Sequence, residues 1–300
     1  MDTGILLESG TNELEILEFT VGGNHYGINV AKIKEILPYK KPTPVPNAHP
    51  SIEGIFMPRD QIISIVDLAV SLKLPASKNP STDMYIVTSF NQINTAFHVH
   101  GVSGIHRVSW NDISKPDSTI STDGASVATG IIKIQDKLII ILDFEKIVAD
   151  ISPETSLKIS DLDMYDGSKR KDAPLIITED SPLLGQLIYD CLHKAGYTNV
   201  TRMNNGAEAW ELLKKYKAEG NPADKVACLI TDIEMPQMDG HHLTKLIKDD
   251  DQLKSIPVVI FSSLVNEEMY RKGEAVGANM QLSKPEIGKL VHAIDSLVLK

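Results

Sequence analysis

The sequence predicts two domains, a mainly β domain followed by an α/β domain with a doubly wound, five-stranded parallel sheet. Many short apolar segments separated by turn residues fill the first half, a pattern that favours a barrel or a sandwich. From residue 173 onward, short apolar runs alternate five times with amphipathic helical patterns, which is typical of βα units. A length of 300 residues accommodates two such domains at about 150 residues each.

The first half is predicted to consist mainly of short strands. A short helix at residues 33–37 is expected to lead into a proline-rich bend at residues 42–50. This half has no nucleophile elbow, glycine-rich phosphate loop or metal-spaced set of Cys and His, so we expect it to bind rather than to catalyse. Strands are expected at residues 14–21, 26–29, 52–57, 61–66, 84–89, 94–100 and 128–142, the last with a break at residues 135–136.

The two halves are joined by a stretch with few apolar residues and mixed charge. It ends in Ser168-Lys169-Arg170-Lys171-Asp172, which predicts a solvated, flexible linker. Helices of the second half are expected at residues 182–195, 206–219, 240–250, 265–276 and 286–298. The predicted organisation is therefore a tail at residues 1–12, a domain at 13–155, a linker at 156–172 and a domain at 173–300.

Acidic side chains follow two apolar runs of the second half. Asp232 comes directly after Cys228-Leu229-Ile230-Thr231, while Glu179 and Asp180 come directly after Pro174-Leu175-Ile176-Ile177-Thr178. Short apolar runs bounded by turn signals suit buried parallel strands, and reacting groups gather at the carboxyl ends of such strands. We therefore expect the three carboxylates to converge.

Two further runs add a hydroxyl and an ammonium group. Ser262 follows the run at residues 257–261, and Lys284 follows the run at residues 278–282. Three carboxylates at close quarters repel one another strongly, so the cluster needs a cation, and ligands that are all oxygen suit Mg²⁺. An acidic set of strand ends in a plain α/β fold is the alternative, but matching positions on four strands make it a poor explanation.

The order acid pair, single Asp, Ser and Lys-Pro resembles the receiver domain of two-component response regulators, over residues 173–300. The resemblance implies a flavodoxin-like fold in which Asp232 is the phosphoacceptor. It further implies that Ser262 and Lys284 bind the phosphoryl group. The implied ligands of Mg²⁺ are Glu179, Asp180, Asp232 and the backbone carbonyl of Glu234.

The first half resembles the CheW-like coupling domain of bacterial chemotaxis over residues 12–152. The run Ile52-Glu53-Gly54-Ile55-Phe56-Met57-Pro58-Arg59 and the apolar run at residues 62–68 carry the resemblance. It implies two small five-stranded barrels packed together, with Arg59 as a contact to a partner. The family usually has glycine after this arginine, where this chain has Asp60, and aspartate tolerates the left-handed backbone of a tight turn better than most residues do.

A CheW-like domain followed by a receiver resembles the CheV class of chemotaxis coupling proteins. The resemblance implies an adaptor that links the cytoplasmic tips of chemoreceptors to the histidine kinase CheA and is regulated, for adaptation, by phosphorylation of Asp232. It implies no enzymatic activity beyond self-phosphorylation from a phosphodonor and autodephosphorylation. Two alternatives stay open: a phosphate sink for the kinase, and a response regulator with an unrelated output in its first half.

Composition limits the classes of partner and the compartment. The net charge of −10 and the lack of a basic stripe argue against nucleic-acid binding. The two Cys lie in apolar settings, which predicts buried free thiols in a reducing compartment. No signal peptide and no run of about 18 apolar residues is present. We therefore expect a cytoplasmic protein without direct membrane insertion that its partners recruit to membrane-associated receptor arrays.

Overall fold

A computed structural model describes residues 10–90, 93–114, 116, 127–152, 170–264, 267–284 and 287–299. The chain divides into two compact units. One comprises Leu14–Ser156, and the other comprises Leu157–Lys300 together with Met1–Glu13, as far as these residues are described. Residues 1–9 and 153–169, on which the predicted tail and linker mostly fall, lie outside the described residues. The exact domain boundaries therefore remain predictions.

The first unit contains two five-stranded sheets and agrees with the predicted mainly β class. The sheet orders are β8-β1-β2-β10-β9 and β3-β6-β7-β5-β4. The strands are β1 (Glu13–Val21), β2 (Asn24–Asn29), β3 (Ile33–Pro38), β4 (Ile52–Phe56), β5 (Ile63–Asp67), β6 (Met84–Phe90), β7 (Ile93–Val99), β8 (Gly101–Ser109), β9 (Ala128–Ile134) and β10 (Lys137–Leu142). The helices are α1 (Leu68–Ser71) and α2 (Phe144–Ile151), with 3₁₀ turns at Val30–Lys32, Pro80–Thr82 and Trp110–Asp112.

The two sheets share an apolar core with α2. The ring of Phe97 from β7 stacks on that of Phe144 from α2 with centroids 4.3 Å apart. Phe19 lies on β1, in the other sheet, and its ring centroid is 5.9 Å from that of Phe144. The side chains of Phe19, Phe97 and Phe144 are all fully buried. Because full burial of one Phe stabilises a fold by roughly 1.5–3 kcal/mol, this aromatic cluster contributes strongly to holding the sheets together.

Several elements of the first unit differ from the sequence prediction. The helix expected at residues 33–37 is wrong, because this segment forms β3 and pairs antiparallel with β6, Ile36 opposite Ile86. Apolar residues at 33, 36 and 37 suit a helix locally, but β-branched isoleucines also suit a strand, and pairing with β6 decides between them. Strand β8 and helix α2 were not predicted. The signal for α2 was Asp143, whose side chain caps the helix by accepting from Lys146 N.

The second unit is a doubly wound, five-stranded parallel sheet, which confirms the predicted flavodoxin-like fold. The strand order is β12-β11-β13-β14-β15. The strands are β11 (Leu175–Thr178), β12 (Val200–Met203), β13 (Cys228–Thr231), β14 (Val258–Ser262) and β15 (Met280–Ser283). The helices are α3 (Pro182–Lys194), α4 (Gly206–Glu219), α5 (Pro222–Lys225), α6 (Gly240–Asp249), α7 (Glu267–Ala275) and α8 (Ile287–Val298).

The residues of the three central strands β11, β13 and β14 are buried, because helices cover both faces of the sheet. One apolar cluster includes Ile177 with Ile188 and Leu290, and a second includes Leu229 with Leu213 and Leu243. Cys191 and Cys228 are buried free thiols, as predicted. No helix in the described part of the chain is long and apolar enough to cross a membrane.

The expectation of a solvated stretch at residues 168–172 is wrong for Arg170, which is 2% exposed. Its guanidinium donates to both carboxylate oxygens of Asp295 at 2.9 and 2.5 Å, and its Nη1 donates to the carbonyl of Ala195 at 2.7 Å. A bidentate pair with a carboxylate compensates for the desolvation of the guanidinium. Lys171 and Asp172 are exposed, as expected for a linker end.

Candidate functional site

Three carboxylates meet at the carboxyl edge of the parallel sheet, as the sequence predicts. Strands β11 and β13 pair in register with Thr178 opposite Thr231, so the residues that follow emerge side by side. The Oγ1 atoms of these two threonines lie 2.6 Å apart in a buried hydrogen bond. One side-chain oxygen from each of Glu179, Asp180 and Asp232 lies within 4.8 Å of the others.

Lys284 brings a positive charge into this cluster from the end of β15. Its Nζ lies 2.8 Å from Asp232 Oδ2 and 3.0 Å from Glu179 Oε2. The backbone N–H of Lys284 donates to the carbonyl of Ser262 at 3.2 Å, which holds the end of β15 beside β14. Lys284, Asp232 and Glu179 are all buried. Each charge is therefore withdrawn from water and depends on the others for compensation.

The cluster has more acid than base, which fits a divalent cation. Burial raises the pKa of Glu179 above its ordinary value; Lys284 opposes this, and the charges of Asp232 and Asp180 add to it. All three side chains offer oxygen atoms, the ligand type that Mg²⁺ prefers. Glu179, Asp180 and Asp232 thus form a set that fits Mg²⁺. The fourth predicted ligand, the carbonyl of Glu234, lies two residues beyond Asp232 and remains a prediction.

The loop after Asp232 is closed by hydrogen bonds, and we call residues 233–239 the acceptor loop. Ile233 N donates to Asp232 Oδ1 at 2.7 Å, and Gly240 N donates to the carbonyl of Ile233 at 2.9 Å. A Cβ atom on Gly240 would lie 1.9 Å from the carbonyl oxygen of Asp232. This approach requires glycine, a role that the sequence analysis missed although Asp239-Gly240 is a recognisable turn and helix start.

Ser262 ends β14 at the same edge of the sheet. It is 1% exposed, and its Oγ accepts from Leu264 N at 3.2 Å. A hydroxyl that accepts one hydrogen bond still carries a proton to donate. The structure therefore brings Glu179, Asp180, Asp232, Ser262 and Lys284 to one edge of the sheet, in the arrangement expected from the order of the strands.

Arg59 belongs to the other unit, in the turn between β4 and β5. Its side chain is 81% exposed and pairs with Glu35 Oε2 at 2.9 Å. Arg59 and Asp60 have φ angles of 51° and 64°, so aspartate does take the left-handed conformation considered for this turn. Met57 and Ile62 have exposed apolar side chains and lie on either side of Arg59 in the sequence, where both were predicted only as strand residues. We call residues 57–62 the hairpin tip.

Comparison with known proteins gives a match to each half of the chain. The CheW-like domain matches residues 15–152, and the response regulator receiver domain matches residues 175–295. Chemotaxis protein CheV3 of Helicobacter pylori is 28% identical over 302 residues, which cover 96% of each chain. Chemotaxis protein CheV2 of the same species is 25% identical over 294 residues, which cover 92% of each chain.

A third relative matches the receiver half alone. Chemotaxis protein CheY1 of Helicobacter pylori is 32% identical over 111 residues, which cover 37% of this chain and 84% of that protein. The two CheV relatives, in contrast, align across both units in the same order. The chain therefore belongs to the CheV type of protein, in which a CheW-like domain precedes a response regulator receiver domain.

Proposed function

We propose that this protein is a chemotaxis adaptor that couples chemoreceptors to the histidine kinase CheA and is regulated by phosphorylation of Asp232. The observation that carries the proposal is the buried contact of Asp232 Oδ2 with Lys284 Nζ at 2.8 Å, beside Glu179 and Asp180. This contact supports the proposal because Lys284 can neutralise charge on a phosphoryl group bound to Asp232, while Glu179 and Asp180 are suited to hold a cation that would do the same. The two partners, chemoreceptors and CheA, are proposed from the similarity to CheV and CheW proteins. Because chemoreceptors form membrane-associated arrays, binding to them would recruit this protein to those arrays.

In the proposed reaction, a carboxylate oxygen of Asp232 attacks the phosphorus of a phosphohistidine in line. The P–O bond forms as the P–N bond breaks, and the electron pair leaves with the imidazole. Lys284 neutralises oxygen charge from the β15 side, and the hydroxyl of Ser262 donates a hydrogen bond to the acyl phosphate. Mg²⁺ held by Glu179, Asp180 and Asp232 would supply further charge neutralisation when bound. Phosphoryl uptake and loss are the only reactions proposed for this protein.

The coupling function is assigned to the first unit, with the hairpin tip as a partner contact. Met57 and Ile62 are 61% and 67% exposed and flank the exposed Arg59. Exposed apolar side chains in the same short loop as an exposed arginine are the residue types enriched in protein interfaces. Replacing Arg59 with Ala should weaken binding to the receptor or the kinase without altering phosphorylation of Asp232.

A reconstituted array of receptor, kinase and this protein tests the proposal. In wild type, kinase activity should change over time as phosphate accumulates on Asp232. We expect Asp232→Asn to support receptor-dependent kinase activity without this change over time. Asp249→Asn, which replaces an exposed aspartate at the end of α6, is the matched control and should behave as wild type. If wild type takes phosphate while receptor-dependent kinase activity stays constant, the protein is a phosphate sink and the regulatory proposal fails.

A further inference from the structure

Residues 10–12 lie against the acceptor loop and helix α6, within the same compact unit. We call residues 10–12 the tether. Asn12 is 7% exposed, and its side-chain amide contacts two backbone groups of the loop. Its Nδ2 donates to the carbonyl of Gln237 at 2.9 Å, and its Oδ1 accepts from Asp239 N at 3.0 Å. A single side chain thereby joins both sides of the turn at residues 237–239.

The contact is specific for asparagine. With the amide reversed, its NH₂ would face the N–H of Asp239 and its oxygen would face a carbonyl, so only one orientation fits. Asn12 also has a φ angle of 62°, in the left-handed region that asparagine tolerates better than most residues. Leucine or alanine at this position would lose both hydrogen bonds and keep the backbone strain.

Gly10 makes the second part of the contact. Its carbonyl accepts a hydrogen bond from Nδ1 of His242 in the first turn of α6. A carbonyl can only accept, so the proton is on Nδ1. The φ angle of Gly10 is 77°, and a Cβ atom there would lie 2.8 Å from Cδ of Lys245. The backbone of the tether therefore lies directly on α6.

The tether is connected to the phosphoacceptor by a short series of hydrogen bonds through the backbone of the acceptor loop. Asn12 holds Asp239 N, the next residue Gly240 donates to Ile233, and Ile233 N donates to Asp232 Oδ1. A phosphoryl group on the other oxygen, Oδ2, turns Oδ1 from a charged carboxylate oxygen into the neutral carbonyl oxygen of an acyl phosphate. Charge-assisted hydrogen bonds are about twice as strong as neutral ones, so the bond from Ile233 weakens.

We propose that docking of the tether on the acceptor loop is linked to phosphorylation of Asp232: the docked tether favours the unphosphorylated loop, and phosphorylation favours release. This inference rests on the proposed role of Asp232 as phosphoacceptor. The tether runs directly into β1, which begins at Glu13 and lies inside the first sheet of the coupling unit. Release of the tether therefore frees the residues that directly precede this strand in the chain.

Linkage is reciprocal, which makes the proposal testable from either side. Removing the tether contacts should make the phosphorylated state easier to reach. We expect Asn12→Ala and His242→Ala to lower the half-saturating concentration of beryllofluoride, a phosphoryl mimic, about fivefold in the intact protein with Mg²⁺. Fluorine NMR measures the bound fraction. In wild type, beryllofluoride should also speed amide hydrogen exchange in residues 10–13.

Asn47→Ala is the matched control. Asn47 has a similar φ angle of 58°, is exposed and belongs to the other unit, so its replacement should leave beryllofluoride affinity unchanged. Unchanged or weaker affinity in Asn12→Ala, or unchanged exchange at residues 10–13, would overturn the linkage. If wild type itself binds no beryllofluoride and takes no phosphate, the proposed phosphoacceptor is wrong and the linkage falls with it.

Discussion

At the residue scale, buried charges in both units are held by partners that also tune their protonation. In the first unit, His98 lies between two acids, with Nδ1 2.9 Å from Glu53 Oε2 and Nε2 3.0 Å from Asp83 Oδ2. In the second unit, Lys284 lies between Asp232 and Glu179. Removing one member of such a group leaves a buried charge unpaired, which typically costs about 3–5 kcal/mol.

The His98 group predicts a pH dependence of stability. Burial lowers the pKa of His98, but the hydrogen bonds to Glu53 and Asp83 and the charges of Glu53 and Asp67 outweigh burial and leave the pKa above its ordinary value of about 6.5. Because folding raises this pKa, the stabilisation is fully present below about pH 6.5 and is lost as the pH rises through the folded-state pKa. Calorimetry of the intact chain at several pH values measures it.

His98→Gln is the control for this prediction, since an amide keeps hydrogen bonding but does not titrate. The variant should lose the part of the pH dependence that wild type shows above about pH 6.5. Identical pH profiles for the unfolding of the two proteins would show that the ion pairs of His98 do not stabilise the fold.

The residues two positions beyond Asp232 and Ser262 predict slow loss of phosphate. Glu234 brings a negative charge close to the acyl phosphate, and Leu264 is apolar and 3% exposed, so Leu264 cannot orient a water molecule for attack. Leu264→Glu should speed dephosphorylation of the protein about tenfold, which corresponds to about 1.4 kcal/mol in the barrier. Phosphate release after removal of the donor measures it. Decay of wild type within seconds, without a phosphatase, would contradict this prediction.

Single residues were predictable from sequence where a strand end fixes their place. Asp232, Glu179 and Lys284 follow strands of one parallel sheet, and such strands present their carboxyl ends at one edge of the sheet. Asn12 and Arg170 were not predictable in this way. The backbone groups that Asn12 contacts lie 225 or more residues away in the sequence, and the carboxylate that Arg170 binds lies 125 residues away. No local pattern therefore marks either contact.

At the element scale, helix α6 begins at Gly240, whose backbone packs directly against the carbonyl of Asp232 at the end of β13. Gly240→Ala would place Cβ 1.9 Å from the carbonyl oxygen of Asp232, and backbone cannot move aside as a flexible side chain does. We expect a loss of about 1–3 kcal/mol in unfolding free energy, the usual cost of overpacking, together with weaker phosphorylation. Denaturant unfolding and phosphate uptake measure the two effects.

Gly104→Ala is the matched control for this change. Gly104 lies in a strand, and its added Cβ would have no heavy atom within 4 Å. This variant should match wild type in both measurements. Equal stability of the Gly240→Ala and Gly104→Ala proteins would show that the start of α6 has room for a side chain beside the carbonyl of Asp232.

Elements with a regular pattern were predictable, and elements that depend on pairing were not. The alternation of apolar strands and amphipathic helices in the second unit leads directly to the observed sheet. Strand β8 contains two glycines and exposed polar positions, so its sequence carries a weak strand signal. Strand β3 has a locally helical spacing that its pairing with β6 overrides. Long-range pairing energy is not visible in a window of a few residues.

At the scale of the whole molecule, a coupling unit and a receiver unit occur in one chain. The tether directly precedes β1, the first strand of the coupling unit. Phosphorylation adds charge within a buried cluster, and a change there reaches the coupling unit only if some element responds to it. The acceptor loop with the tether is such an element. Regulation of the coupling unit therefore depends on whether Asp232 accepts phosphate.

The most direct measurement is phosphate incorporation into the intact protein from acetyl phosphate or phosphorylated kinase, followed by intact mass spectrometry. We predict one phosphoryl group on wild type in the presence of Mg²⁺, and none on Asp232→Ala or after removal of Mg²⁺. Asp249→Asn, which alters an exposed aspartate, should label as wild type does. Stoichiometric labelling that persists in Asp232→Ala would contradict the account.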